Sequence, residues 1–228
     1  VHGYQEVSFT RIDVSELDEN SLRNLVIEKS REPFDLENGK VLRVYLFSKS
    51  ENDNVLLISI HHISTDGRSV EVMMEELGKL YESEASGKSD SLLPSEKHYH
   101  EFISAQEEFV NSDKAKSQLE YWTNELSGEQ TDLDLPNDRP RPPMQTFNGS
   151  TVYFELDADL VDKLKQVSKD SGATLFAFML SCYILFLRKH SDNTDISAGI
   201  AAAGRSFPGF ENMMGYFINP VTIKTQIA

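Results

Sequence analysis

Apolar residues run through this chain in two rhythms, one of period two and one of period three to four. Residues 8–13 read as a strand, and residues 18–31 read as a helix that Pro33 closes. Residues 41–47 and 55–61 are rich in Val, Leu and Ile and flank the polar stretch 48–54, the pattern of two paired antiparallel strands. Over residues 69–84, Val70, Met73, Met74, Leu77, Leu80 and Tyr81 recur at helical spacing, which assigns both methionines to a core face. Residues 99–126 read as one long amphipathic helical stretch. Further on, the pattern predicts a strand over 150–156, a helix over 159–168, a buried helix over 174–190, and strands over 195–203 and 216–224. Hairpins mixed with helical crossovers point to α+β or mixed α/β layers.

Composition supports a globular chain: 39% of the 228 residues are hydrophobic, 10% aromatic and 26% charged. The longest apolar run, residues 175–187, is shorter than the roughly 20 residues that a membrane span needs, so it is expected as a buried helix, with no membrane partner. Cys182 falls inside that run and reads as a small core residue. As the single cysteine, and with no basic, apolar leader ahead of it, it gives a reducing cytoplasm as the expected compartment.

Charge changes the picture more. The chain carries 22 basic and 37 acidic side chains, a net −15, which excludes a nucleic-acid binder acting through bulk positive charge. Residues 1–134 hold 13 basic and 28 acidic side chains, whereas residues 135–228 hold nine of each, so the acidity belongs to the first part. The division coincides with the Pro-rich stretch 135–143, which cannot be helix or inner strand. Three regions are therefore expected: a first lobe over 1–134, an extended connection over 135–149 and a second lobe over 150–228. Arg139 and Arg141, set among prolines with no glycine-rich phosphate cradle, read as a clamp between lobes.

The chemistry concentrates in His61-His62-Ile63-Ser64-Thr65-Asp66-Gly67, where an apolar strand runs out and a helix begins. Successive strand side chains face opposite ways, so the two histidines do not converge on one metal, and no Cys, Glu or further His lies at ligand spacing. That argues against a metal site. One imidazole suits a structural hydrogen bond; the other, with a pKa near neutrality, suits proton transfer in a cleft. Asp66 is placed to lock the turn or cap the helix, and Gly67 to let a substrate approach the backbone. On composition alone, two histidines and a helix cap with no catalytic role are the simpler reading of the same residues.

This heptapeptide resembles the HHxxxDG signature of condensation domains of nonribosomal peptide synthetases, within the chloramphenicol acetyltransferase-like superfamily. Further stretches resemble landmarks of that family in the family's order: Tyr121-Trp122 with Leu126, then Asp138-Arg139-Pro140-Arg141-Pro142, Gly204-Arg205-Ser206-Phe207-Pro208, and Gly215-Tyr216-Phe217-Ile218-Asn219. There are departures: Ala105 stands at the family's tryptophan position, and Pro220 replaces the usual threonine after Asn219. The family's N-terminal arginine motif and its later motifs are missing. The resemblance thus implies the two-lobe fold, incomplete at both ends.

It also implies a mechanism. Two thioester-linked substrates on phosphopantetheine arms of upstream and downstream carrier proteins enter a tunnel from opposite sides, and the amine of one attacks the thioester carbonyl of the other. His62 is the implied catalytic residue, as proton acceptor or positioning group. His61, Asp66, Gly67 and Arg205 are implied to organise the site, with Arg205 the local candidate to pair with Asp66. Ser64 and Asn219 are candidate contacts to substrate or pantetheine, and Asn219 reads equally as a turn residue. The domain itself is expected to hold no cofactor or metal, with an adenylation domain in cis as neighbour. Competing readings are a stand-alone acyltransferase using acyl-coenzyme A, a catalytically incomplete carrier-docking scaffold, and an epimerising relative.

Overall fold

A computed structural model describes residues 6–87, 92, 97–128, 133–140, 142–191 and 193–227. By mutual contact the chain forms two compact units, one of residues 1–111 with 202–219, the other of residues 112–201 with 220–228. Arg139 is exposed, and Arg141 lies outside the described residues.

The first unit contains a three-stranded sheet, β1 (Ser8–Asp13), β2 (Leu42–Ser48) and β3 (Asn54–Ile60), in the order β1-β2-β3. β2 and β3 pair antiparallel from Leu42 opposite Ile60 to Ser48 opposite Asn54, as the alternation predicts. β1 runs parallel to β2, and the connection a parallel pair requires is supplied by α1 (Glu19–Ser30). Asp18 caps α1 by accepting the Ser21 N–H at 2.7 Å. Because β2 is the central strand, Tyr45 and Phe47 on one of its faces are buried, and they pack with Val14 and Leu22 and with Leu25 and Val26 of α1. Glu32, just past α1, accepts from Tyr45 Oη at 2.7 Å and meets Lys29 at 2.6 Å and Arg43 at 3.2 Å. Those contacts, led by the Lys29 hydrogen bond, hold its carboxyl below the ordinary range.

α2 (Gly67–Ala85) forms where the spacing predicts, but the other way round. Its buried positions are Ser69, Val72 and Ser83, while Val70, Met74, Leu77, Leu80 and Tyr81 are exposed. The expected core stripe is therefore an outward stripe. Bonds made by Asp66 and Ser69 at the helix start fix its rotation and turn the Ser69 side inward. The stretch 99–126 is likewise two helices, α3 (Tyr99–Val110) and α4 (Asp113–Glu125). The break is chemical: Asn111 Nδ2 bonds back to Glu107 O at 2.8 Å, and Ser112, in extended conformation, caps α4 through Ala115 N at 3.2 Å. In the first unit α3 supplies Phe102 to an aromatic core with Phe207, Phe210, Met213 and Phe217.

In the second unit, α5 (Ala158–Asp170) and α6 (Leu175–Lys189) precede β4 (Asp195–Ala202), which bonds to β5 (Asn219–Gln226). α6 meets its expected bounds, capped by Thr174, but it is not a buried helix. Only the stripe Leu180, Ile184, Leu187 packs inward, against Ile196, Ala198, Leu133, Leu135 and Ile227. Phe176, Met179, Tyr183, Leu185 and Phe186 are exposed, and so is Cys182, which corrects its reading as a core residue. Residues 150–156 form no strand, with Val152, Tyr153 and Phe154 exposed. A strand needs a neighbour's N–H and C=O groups, and among the described residues none pairs with this segment. No single described helix is long and apolar enough to cross a membrane, and the α5–α6 pair passes that test only jointly, across a 100° bend.

Candidate active site

The site begins where β3 ends. His61 N donates to Val41 O at 2.9 Å, prolonging the strand by one residue, and the chain then tightens into a 3-10 turn over His62–Ser64. His61 Nδ1 accepts the Ile63 N–H at 3.1 Å, and its ring stands edge-on to Phe34 at 5.7 Å. His61 is thus a turn cap, unprotonated at Nδ1. Ser64 Oγ donates to His61 O at 3.0 Å, engaged within the same turn.

His62 adopts the opposite arrangement. Its Nδ1 lies 2.7 Å from Thr65 O, and because a carbonyl only accepts, Nδ1 carries the proton. In the neutral ring this leaves the lone pair on Nε2. His62 is exposed, and its ring stands edge-on to Tyr216 with centroids 5.5 Å apart. A single turn therefore holds two imidazoles as opposite tautomers, one spent on structure and one offering a base.

Behind the turn lies a buried polar knot. Asp66 caps α2, its Oδ1 accepting from Ser69 N at 2.9 Å and from Arg205 Nη2 at 2.8 Å, while Oδ2 accepts from Phe217 N at 3.1 Å. Ser69 Oγ sits 2.8 Å from both Asp66 Oδ1 and Gly215 O, and its one proton serves one of them at a time. The same oxygen accepts from Gly215 N and Arg205 Nη2, each at 3.0 Å. Arg205 Nη1 donates to Phe210 O at 2.8 Å and Met213 O at 2.6 Å, and its guanidinium lies 3.9 Å over the Phe217 ring. Burial pushes the Asp66 carboxyl up, but the Ser69 amide and hydroxyl, the Arg205 guanidinium and the Phe217 amide outweigh it and hold the carboxyl below its ordinary value.

Two glycines make this closeness feasible. Gly204 has φ +69°, and a Cβ there would fall 1.7 Å from Phe217 O; a Cβ on Gly215 would fall 2.7 Å from the Tyr99 ring. Gly67 differs, for a Cβ there meets nothing within 4 Å. The α2 N-terminus presents first-turn amides and the positive end of the helix dipole.

The structure thus brings together His61, His62, Ser64, Asp66, Gly67 and Arg205. Asn219 is placed at the start of β5, its Nδ2 donating to Phe217 O at 3.2 Å. Sequence reasoning missed Ser69, Tyr99 and Tyr216. For Ser69 a signal existed, a hydroxyl three residues past a capping aspartate; the tyrosines matter only through tertiary contacts. His62 lines none of the surface depressions formed by Arg11, Asp13 and Lys49, by Asp134, Lys189 and His190, and by Phe34, Lys40 and Arg43. Among the described residues no group of three His, Cys, Asp or Glu is placed to hold a metal ion.

Comparison with known proteins matches the chain to a family. A sequence profile described as Condensation domain matches residues 1–228. Malpinin synthetase of Mortierella alpina is 37% identical over 210 residues, covering 92% of this chain and 3% of that protein. A four-domain nonribosomal peptide synthetase, crystallised with AMP and glycine, superposes with a TM-score of 0.82 at 25% identity, over 99% of this chain and 17% of that one. The epimerization domain from the third module of tyrocidine synthetase B gives a TM-score of 0.84 at 19% identity, over 97% of this chain and 50% of that one, a likeness of fold. The chain spans a small fraction of the synthetases it matches.

Proposed function

The chain belongs to the Condensation domain family, and on that premise we propose that it takes part in amide-bond formation between a donor acyl or peptidyl thioester and an acceptor aminoacyl thioester, both carried on phosphopantetheine arms. The observation that carries this reading is the 2.7 Å contact of His62 Nδ1 with Thr65 O, which in the neutral ring leaves the lone pair on Nε2. The acceptor amine attacks the donor carbonyl, forming a C–N bond and a tetrahedral oxyanion. Nε2 takes the proton that the nitrogen sheds, the C–S bond breaks, and the same proton goes to the departing pantetheine sulfur. Products are an amide on the acceptor arm and a free thiol on the donor arm. The Gly67 amide, at the start of α2 where a Cβ would meet nothing within 4 Å, is the donor this reading assigns to the oxyanion. Asp66 and Arg205 hold the turn, and Ser64 and Asn219 lie near the arms. The domain holds no cofactor of its own in this reading.

Partners follow from the chemistry: an upstream and a downstream carrier protein, with an adenylation domain in the same polypeptide, and neither nucleic acid nor membrane. In this reading residues 1–134 are the C-terminal part of the first lobe and residues 150–228 the first part of the second, joined by 135–149. The single free Cys182 accords with a cytoplasmic setting.

The test supplies the full-length protein with two loaded carrier proteins and measures dipeptidyl thioester. His62→Ala is expected to lower the rate by about 10²- to 10⁴-fold, the usual worth of acid–base help. Dipeptide made by the variant at the parent rate would overturn the role of His62. Inversion of the α-carbon without dipeptide would assign an epimerase, carrier binding without product a docking module, and acyl transfer from coenzyme A a stand-alone acyltransferase.

A further inference from the structure

Tyr216 is the one aromatic ring recorded against His62 among the described residues, and its place is set by backbone bonds rather than by its own side chain. Three successive residues are pinned from the α2 and α3 side. Ser69 Oγ takes the Gly215 N–H at 3.0 Å, Tyr99 Oη donates to Tyr216 O at 2.6 Å, and Asp66 Oδ2 takes the Phe217 N–H at 3.1 Å. Gly215 lies so close to α3 that a Cβ there would fall 2.7 Å from the Tyr99 ring. Burial first, and then the Asp66 carboxylate, push the Tyr99 phenol above its ordinary range, which keeps it protonated as the donor. Gly215 and Phe217 are buried, whereas Tyr216 between them in sequence is exposed, with its ring edge-on to the imidazole at 5.5 Å and 72°.

From this geometry we infer that Tyr216 is a positioning residue for His62, fixing the plane of the imidazole and hence the direction of Nε2. The Thr65 carbonyl holds one edge of the ring, but a single hydrogen bond does not fix the plane, because the χ2 torsion of histidine is broad rather than staggered. An edge-on ring supplies the second constraint. The role rests on the proposed reading of His62 as the base. A misdirected Nε2 slows proton transfer without altering how the carrier-bound substrates dock, so the loss falls on kcat.

Two measurements test this. In the condensation assay with the full-length protein, Tyr216→Ala is expected to lower kcat about tenfold with KM changed less than about twofold, and Tyr216→Phe, which restores the ring, to recover it to within about twofold of the parent. By long-range proton–nitrogen NMR, assigned with His62→Ala, the parent should show one His62 tautomer protonated at Nδ1. Tyr216→Ala should move the two nitrogen shifts toward each other, and Tyr216→Phe should not. Thermal unfolding verifies that the variants fold; none of the three pinning bonds uses the Tyr216 side chain. Unchanged kcat and unchanged shifts in Tyr216→Ala overturn the inference, as does a Tyr216→Phe variant as slow as Tyr216→Ala, which would assign the role to the phenol instead. The NMR readout separates this inference from the proposed function, because it stands even if His62→Ala proves active.

Discussion

Arg205 Nη2 lies 2.8 Å from Asp66 Oδ1, with the two side chains only 7% and 4% exposed, across 139 positions of sequence. An ion pair this well sealed is held by its surroundings: each partner has further hydrogen bonds, and the guanidinium rests on Phe217. Arg205 thereby closes the loop 203–218 on itself and ties it to the start of α2, the helix that follows His62.

Removing one partner strands the other charge in a buried site. Arg205→Ala is expected to cost about 3–5 kcal/mol, since it leaves Asp66 ionised without its counter-charge and frees Phe210 O and Met213 O. Arg205→Lys should recover only part, because a single ammonium cannot span Asp66, Phe210 and Met213 as the planar fork does. Urea unfolding of the three proteins measures this, and an Arg205→Ala variant within about 1 kcal/mol of the parent would contradict it.

Asp66 also sets an acid limit. Its folded pKa lies below the unfolded one, so its contribution to stability is complete above the unfolded value near about 3.9 and is lost as the pH falls through the folded value. Asp66→Asn removes that titration, and the variant should lose stability less steeply below about pH 4 than the parent. Asp13, Asp18, Glu32 and Asp35 are also held low, but they are common to both proteins and cancel in the difference. Equal acid slopes in paired unfolding curves would show that Asp66 binds protons alike in both states.

Local chemistry made much of this legible in advance. The strands β1 to β3 and the helix α1 follow from alternation and a capping aspartate, and the histidine turn is a short continuous segment whose internal hydrogen bonds join residues two or three apart. What depends on distant partners was not. A helical stripe of Val70, Met74 and Leu77 says which face of α2 is apolar but not which face this chain covers, and the Ser69 knot decides that. Val152, Tyr153 and Phe154 have strand-forming side chains, yet among the described residues nothing pairs with them. Arg205 was placed by the order of motifs, whereas the Tyr99–Tyr216 contact spans 117 positions and leaves no periodic mark.

The three glycines of the site should separate cleanly when each is given a methyl group. At Gly204 a side chain meets a left-handed φ of +69° and the Phe217 carbonyl at 1.7 Å, so Gly204→Ala carries about 1–3 kcal/mol of backbone strain with the clash added to it. Gly215→Ala keeps an ordinary φ but drives its methyl into the Tyr99 and Phe217 rings at 2.7 and 2.8 Å, and relief requires moving Tyr99 off Tyr216 O. Gly67 has open space and opens a helix, so Gly67→Ala should leave stability unchanged or raise it by up to about 1 kcal/mol through the lost freedom of the unfolded chain. Urea midpoints at constant m-value report the order directly. A Gly204→Ala protein as stable as Gly67→Ala would mean that Gly204 does not approach the Phe217 carbonyl as the closed loop 203–218 requires.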